Sequence, residues 1–231
     1  MKVLIIIPAY NESENIERVV SNLIENYPQY DYVIINDGSN DDTSDICRRN
    51  EYNLIDLPVN IGLSGGFQTG MKYALRNGYD YAIQFDGDGQ HNPEYIAKML
   101  DEIHNNDLDF VIGSRFIGER KPKSLRMLGG NLISVILKTT TGKTFKDPTS
   151  GMRMYNKKLI SLLSNSIDFG PEPDTLAHLV RSGAKYSEVQ VSMNDRLAGE
   201  SYLSMTRSIK YMAHILSSIT LIQWFRKKPK I

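Results

Sequence analysis

The sequence predicts an α/β fold, a mostly parallel sheet with helices on both faces. Three observations carry this reading. Short continuous apolar runs, with residues 3–7 the first of them, have the make-up of strands buried on both faces. Amphipathic helical patterns alternate with those runs. Polar segments rich in Gly and Asp follow the runs as loops.

Each element rests on its own signal. Residues 3–7 form a strand that Pro8 halts. Asn11 or Ser13 is expected to cap a helix in which Ile16, Val19, Val20, Leu23 and Ile24 recur at helical spacing. Residues 32–35 form a second strand, which runs into Asn36, Asp37, Gly38 and Ser39. A short helix over 42–49 and a third strand over 53–57 follow. Residues 62–66 read as a Gly-rich loop and 67–77 as a helix. The strand over 81–85 ends at Asp86, Gly87 and Asp88. Residues 93–105 form a helix with Pro93 in its first turn, and 110–113 a fifth strand. In the second half, helices are expected over 124–140, 174–181 and about 201–224. A turn over 147–151 precedes a strand over 152–155, and 186–191 is a strand.

Composition narrows the class. With 231 residues, 41% hydrophobic and 23% charged, the chain can bury a sizeable core as one domain with a tail. A formal net charge of zero excludes a nucleic-acid binder that relies on bulk positive charge. The single cysteine, Cys47, excludes an internal disulfide and a Cys-rich zinc site, suits a reducing compartment and reads as a core thiol. No signal peptide is expected, because the first apolar run is too short for a signal core. No spanning helix is expected either. One needs about 20 mostly apolar residues, and the stretch 211–225 contains His214, Ser217, Ser218, Thr220 and Gln223.

Chemistry concentrates in the loops after strands, where open α/β sheets bind ligands. Three such loops are polar: residues 10–14, 37–42 and 86–90. Asp86 and Asp88 stand at i and i+2 at the end of a buried strand, with Gly87 keeping the turn tight. Two such carboxylates suit a hard divalent cation whose other ligands come from a diphosphate, and Gln90 adds an amide oxygen. The same residues also satisfy a plain polar turn. Gly62, Gly65 and Gly66 do not form a dinucleotide fingerprint. His91 reads as structural rather than as a ligand.

The ordered strings IIIPAYNESENI, INDGSNDDT, NIGLSGG, FDGDGQHNPE, GSRF and DPTSGMR resemble glycosyltransferase family 2, and within it the polyprenyl-phosphate sugar synthases. The resemblance spans roughly residues 3–201. It implies a GT-A (Rossmann-like) fold over residues 1–200, with a nucleotide-sugar and metal half at 1–115 and an acceptor half at 116–200. Residues 201–231 are then a C-terminal amphipathic helix and basic tail. It implies an inverting, Mg2+- or Mn2+-dependent transferase acting on a UDP-sugar. Pro8, Tyr10, Glu12, Asp37, Gly62 and Asp86 fall at nucleotide-contact positions, and Asp86, Asp88 and Gln90 at the metal. Arg115, Arg126 and Arg196 fall on the side of an acceptor phosphate.

The expected reaction moves GlcNAc or glucose to undecaprenyl phosphate in cell-wall or surface polysaccharide synthesis. One departure opens an alternative. Residues 169–174, FGPEPD, replace the synthases' usual aromatic-rich stretch. A phosphate nucleophile needs no base, whereas a saccharide hydroxyl does, and Glu172 or Asp174 could serve one. A non-catalytic nucleotide-sugar-binding protein is the third reading, and the pair Asp86 and Asp88 argues against it. Met205, Ile209, Met212, Leu216 and Ile219 form an apolar stripe, followed by Trp224, Phe225, Arg226, Lys227, Lys228 and Lys230. That pattern predicts peripheral contact with the cytoplasmic face of the membrane. Packing on the domain's own core with a solvated basic tail, docking on a small membrane-protein partner and pairing with a second copy of the chain are the other readings of the stripe.

Overall fold

The computed structural model describes residues 1–118, 125–165, 169–194, 205–222 and 225–226, without the side chains of 125, 126, 128 and 205–209. Its strands are β1 (Val3–Ala9), β2 (Asp31–Asn36), β3 (Leu54–Asp56), β4 (Tyr81–Gln84), β5 (Phe110–Ser114), β6 (Arg153–Asn156) and β7 (Tyr186–Gln190). They form one sheet in the order β3-β2-β1-β4-β6-β5-β7. β6 runs antiparallel to β4 and β5, and the other pairings are parallel. The expected mostly parallel sheet is what forms.

The helices are α1 (Ile16–Asn26), α2 (Thr43–Arg49), α3 (Gly62–Arg76), α4 (Tyr95–Asn105), α5 (Leu125–Thr141), α6 (Lys157–Ser164), α7 (Pro173–Arg181) and α8 (Met205–Thr220). They cover both faces. β1 shows why its apolar run is continuous. Leu4 and Ile6 enter a core with residues of α3, α5, α6, α7 and α8, while Val3, Ile5 and Ile7 enter a second core with α1, α2 and α4. Alternate side chains of one strand thus feed opposite faces. Burying each Val, Ile or Leu there is worth roughly 1.5–3 kcal/mol.

Three local expectations are corrected. The α1 N-cap position is Asn15, not Asn11 or Ser13; its carbonyl accepts from the Val19 amide at 3.0 Å and its side chain makes no capping hydrogen bond. Residues 62–66 are not a loop but the opening turns of α3. Glycine is a poor helix former by about 1 kcal/mol, yet close approach favours it here. A Cβ on Gly70 would overlap Ile6 of β1, whereas one on Gly66 would make only ordinary contact, 3.9 Å from Pro8 and Ile35. α6, between β6 and α7, lacks a counterpart in the sequence reading. Asn156 caps it, its side chain accepting from the Leu159 amide at 3.0 Å, and Leu159, Ile160 and Leu163 are buried.

α8 packs on α5 and α7. Ile215 and Ile219 are fully buried, with Met212 and Leu216 against them. The helix is thereby part of the main core, with Met212, Leu216 and Ile219 of the expected stripe. No described helix is long and apolar enough to cross a membrane.

Candidate active site

The sheet order reverses between β1 and β4. The chain proceeds outward from β1 through β2 to β3, then returns to place β4 on the other side of β1. A crevice at the carboxyl ends of such strands is where open α/β sheets take ligands. The loops leaving β1, β2 and β4 all open there.

The β1 and β2 loops are knitted to each other. The Glu12 amide donates to Thr43 Oγ1 at 2.9 Å, and the Ser13 amide to Asp41 Oδ2 at 3.0 Å. Asn11 adopts a left-handed φ of 56°, a conformation asparagine tolerates. Its Oδ1 accepts from the Asn40 amide at 2.9 Å. Glu12 Oε2 accepts from Asn15 Nδ2 at 2.9 Å, and Tyr10 Oη from Asn40 Nδ2 at 3.4 Å. Burial works against ionisation of Asp41, but hydrogen bonds from Thr43 and Ser13 outweigh it and hold its pKa below the usual value.

Asp37 is buried and accepts from the Ile61 amide at 2.7 Å and the Gly62 amide at 2.9 Å. It therefore holds the N-terminus of α3 with both carboxylate oxygens. Gly62 takes φ 81°, which explains glycine at this position. The nucleotide-side candidates Pro8, Tyr10, Glu12, Asp37 and Gly62 thus gather on one rim.

Asp86 and Asp88 flank Gly87 at the β4 end, beside the β1 loop: a Cβ on Gly87 would lie 3.3 Å from the Pro8 carbonyl oxygen and 3.7 Å from Glu12 Cγ. Asp86 keeps a half-exposed carboxylate, 40% accessible. His91 is buried beneath it. The Asp86 amide donates to His91 Nδ1 at 2.9 Å, and Nε2 lies 3.5 Å from Asp86 Oδ2. With Nδ1 accepting, the proton belongs on Nε2, facing the carboxylate. Asp88 is buried and its Oδ1 accepts from the Gln90 amide at 3.0 Å. Glycine at 151 keeps the space before Asp86 open, since a Cβ there would stand 3.0 Å from Oδ2. Among the described residues no group of three or more His, Cys, Asp or Glu is arranged for a metal. Two carboxylates with an amide oxygen suit a cation that takes its remaining ligands from substrate phosphate and water.

Arg115 follows β5. Its Nε donates to Asp147 Oδ2 at 2.6 Å and its Nη2 to Asp147 Oδ1 at 2.8 Å and Thr149 Oγ1 at 3.3 Å. Asp147 is buried and keeps the guanidinium oriented, a role its turn-like sequence did not reveal. Behind it, Glu188 accepts from the Lys146 and Asp147 amides at 2.7 and 2.9 Å. Arg126 lies in α5, with its side chain outside the described residues, and Arg196 is outside them altogether.

The most informative residue missed in the sequence is Arg153. It is fully buried and donates to three backbone carbonyls: Ser150 at 2.9 Å, Pro148 at 2.8 Å and Glu172 at 3.2 Å. It therefore joins the 148–151 turn, which abuts Asp86, to the 169–174 segment. A cation inside an otherwise apolar strand pattern was the available signal. Glu172 is partly buried, with Oε1 3.5 Å from Ser64 Oγ of α3. Burial chiefly, then Asp174, raises its pKa, while His214 and Arg153 pull it down. Asp174 is buried, and its Oδ2 accepts from Ser218 Oγ at 2.7 Å.

Residues 4–163 match glycosyl transferase family 2. The chain belongs to glycosyl transferase family 2. Among its relatives is the undecaprenyl-phosphate mannosyltransferase of Micrococcus luteus, 30% identical over 219 residues and 88% of each chain. The UDP-N-acetylglucosamine–dolichyl-phosphate N-acetylglucosaminyltransferase of Methanococcus voltae is 34% identical over 185 residues, 71% of this chain and 73% of the relative. Glucosyl-3-phosphoglycerate synthase from Mycobacterium tuberculosis shares the fold, with TM-score 0.70 at 15% identity over 96% of this chain and 78% of that one. The family's GT-A fold is thus the one this sheet and its helices adopt.

Proposed function

We propose that this family 2 enzyme moves a sugar from a nucleoside-diphosphate sugar to a polyprenyl phosphate by a single inverting displacement. The observation that carries the reading is the pair Asp86 and Asp88 at the β4 end, beside the β1 loop that is knitted to the β2 loop. The relatives' names support a polyprenyl-phosphate acceptor. They divide between mannose and GlcNAc; the reading here is a UDP-sugar, with GlcNAc or glucose transferred.

Asp86, Asp88 and Gln90 would hold Mg2+ or Mn2+, which when bound neutralises charge on the departing diphosphate. The structural neighbour's complex contains Mn2+ and UDP. Tyr10, Glu12, Asp37 and Pro8 line the nucleotide side. Arg115 orients the acceptor phosphate. Three of its five N–H donors serve Asp147 and Thr149, which leaves Nη1 for an anion. Because Asp147 fixes the guanidinium, little rotamer freedom remains to be lost when phosphate arrives.

A hydroxyl acceptor is favoured by one observation, the raised pKa of Glu172 beside the site, which suits a general base. Asp174 suits that role less, because Ser218 and Arg226 already occupy one of its oxygens.

Membrane contact at the cytoplasmic face belongs to the same proposal. Leu221, Ile222 and Phe225 are exposed just before the basic tail, and each Lys or Arg near an anionic surface adds about 1 kcal/mol. Trp224, Lys227, Lys228 and Lys230 lie outside the described residues.

The test offers undecaprenyl phosphate and a saccharide acceptor separately, with UDP-GlcNAc, UDP-glucose and GDP-mannose, and extracts product into organic solvent. Expected is a lipid-linked sugar from one UDP donor, lost in Arg115→Ala and kept in Glu172→Gln. Product on the saccharide alone, lost in Glu172→Gln, would replace the lipid reading with the hydroxyl one.

A further inference from the structure

We infer that Arg226, near the chain's C-terminus, is a positioning residue for the acceptor side of the site: by pairing with Asp174 it holds the 169–174 segment, and Glu172 with it, in place. The inference rests on the proposed reading that this segment borders the acceptor.

The geometry starts at α7. Asp174 lies in its first turn, two residues after Glu172, the N-cap. Its side chain is only 6% accessible, so its charge needs partners. Those partners come from the far end of the sequence. Ser218 of α8 donates to Oδ2 at 2.7 Å, and Arg226 Nη1 lies 3.3 Å from the same oxygen. The guanidinium also stands over the Phe169 ring at 5.5 Å. One arginine therefore grips both ends of the segment, Phe169 and Asp174.

Between those two grips sits Glu172. Its carbonyl accepts from Arg153, whose other two bonds hold the Ser150 and Pro148 carbonyls. Gly151, next in that turn, touches the space of Asp86. The C-terminal segment is thus linked through Asp174, Glu172 and Arg153 to the rim that carries the carboxylate pair. The arginine's side chain is 21% accessible, so the contact is desolvated enough to be directional. A tail that only balanced surface charge would need neither a buried acid nor an aromatic face.

The test compares the full chain with Arg226→Ala, Arg226→Lys and Asp174→Asn. Two measurements are made on each: hydrogen–deuterium exchange over residues 169–181, and steady-state kinetics with donor and acceptor varied separately. Expected for Arg226→Ala is faster exchange at the start of α7. Acceptor kcat/KM should fall by about ten- to a hundredfold, a misplacement of about 1 Å being enough for the larger loss, while donor KM stays unchanged. Arg226→Lys should recover part of both, and adding Asp174→Asn to Arg226→Ala should cost little more than either alone. Unchanged exchange in Arg226→Ala would mean that no tether exists. Faster exchange with unchanged acceptor kinetics would make the tether structural only; either result overturns the inference. If the wild type uses a saccharide instead of a lipid phosphate, the proposed acceptor falls. The exchange data and kinetics on that saccharide still decide the role of Arg226.

Discussion

Asp147 gives both carboxylate oxygens to Arg115, and Glu188 supports the backbone behind it. The result is an arginine whose direction is set before any ligand arrives. Glu172 is built on the opposite principle. Its carboxyl is desolvated and faces Asp174, so its folded-state pKa lies above the ordinary 4.5. A carboxyl with a raised folded pKa binds its proton more tightly in the folded chain. Its contribution to stability is therefore full below the unfolded value and is lost as pH rises through the folded one. Glu172→Gln removes that loss. The variant's stability relative to the parent should grow as pH rises above about 4.5, as urea unfolding at a series of pH values would show. A constant difference across that series would mean that burial does not raise this carboxyl.

The residues of the site were unequally legible. Asp86 and Asp88 declared themselves because a buried strand delivers them within one short turn. Arg115 was legible only through the resemblance that the GSRF string carries, and its partner stands 32 residues away and leaves no local trace. Arg153 was hidden for the same reason, since the three carbonyls that satisfy it are backbone atoms of two separate turns.

Among the elements, α3 shows how contact overrides propensity. Gly62, Gly65, Gly66 and Gly70 all lie in it, and local preference alone reads the first three as loop. Asp37 supplies acceptors for the helix's first amides, and the absent side chain at Gly70 lets the helix axis approach β1. Gly70→Ala sets two effects against each other. Helix propensity gains up to about 1 kcal/mol, and overlap with Ile6 costs roughly 1–3 kcal/mol. The overlap should win, so a lower urea midpoint is predicted, together with a shift of the Pro8 rim that raises donor KM. An unchanged midpoint would show that β1 and α3 can separate freely. α6 carried a usable signal, since an Asn cap precedes Leu159, Ile160 and Leu163. α8 was legible as an amphipathic helix but not by its destination. A stripe of Met, Leu and Ile is equally fit for lipid, a partner or the chain's own core, and its residues Met212, Leu216 and Ile219 lie against the core.

For the whole molecule, the sheet order and the chemistry coincide. The reversal between β1 and β4 opens a crevice, and the polar loops flanking it are the ones that composition marked out. The antiparallel β6 then matters for function. It brings the 148–151 turn to the same edge as the β4 end, so that Gly151 borders Asp86 and Arg153 reaches Glu172. The alternation of strand and helix signalled the parallel strands; a reversed strand in mid-sheet has no such periodic mark. Metal-assisted sugar transfer at this crevice is the reaction these features are proposed to serve. Its most direct measurement is transfer of labelled sugar from the UDP donor to undecaprenyl phosphate, in Mn2+ and then in EDTA, for the wild type and Asp86→Ala. Lipid-linked product with matching UDP release is predicted in Mn2+, lost in EDTA and reduced more than about a hundredfold in Asp86→Ala, with thermal unfolding of the variant unchanged. Equal transfer in EDTA, or full activity in Asp86→Ala, would contradict that reading.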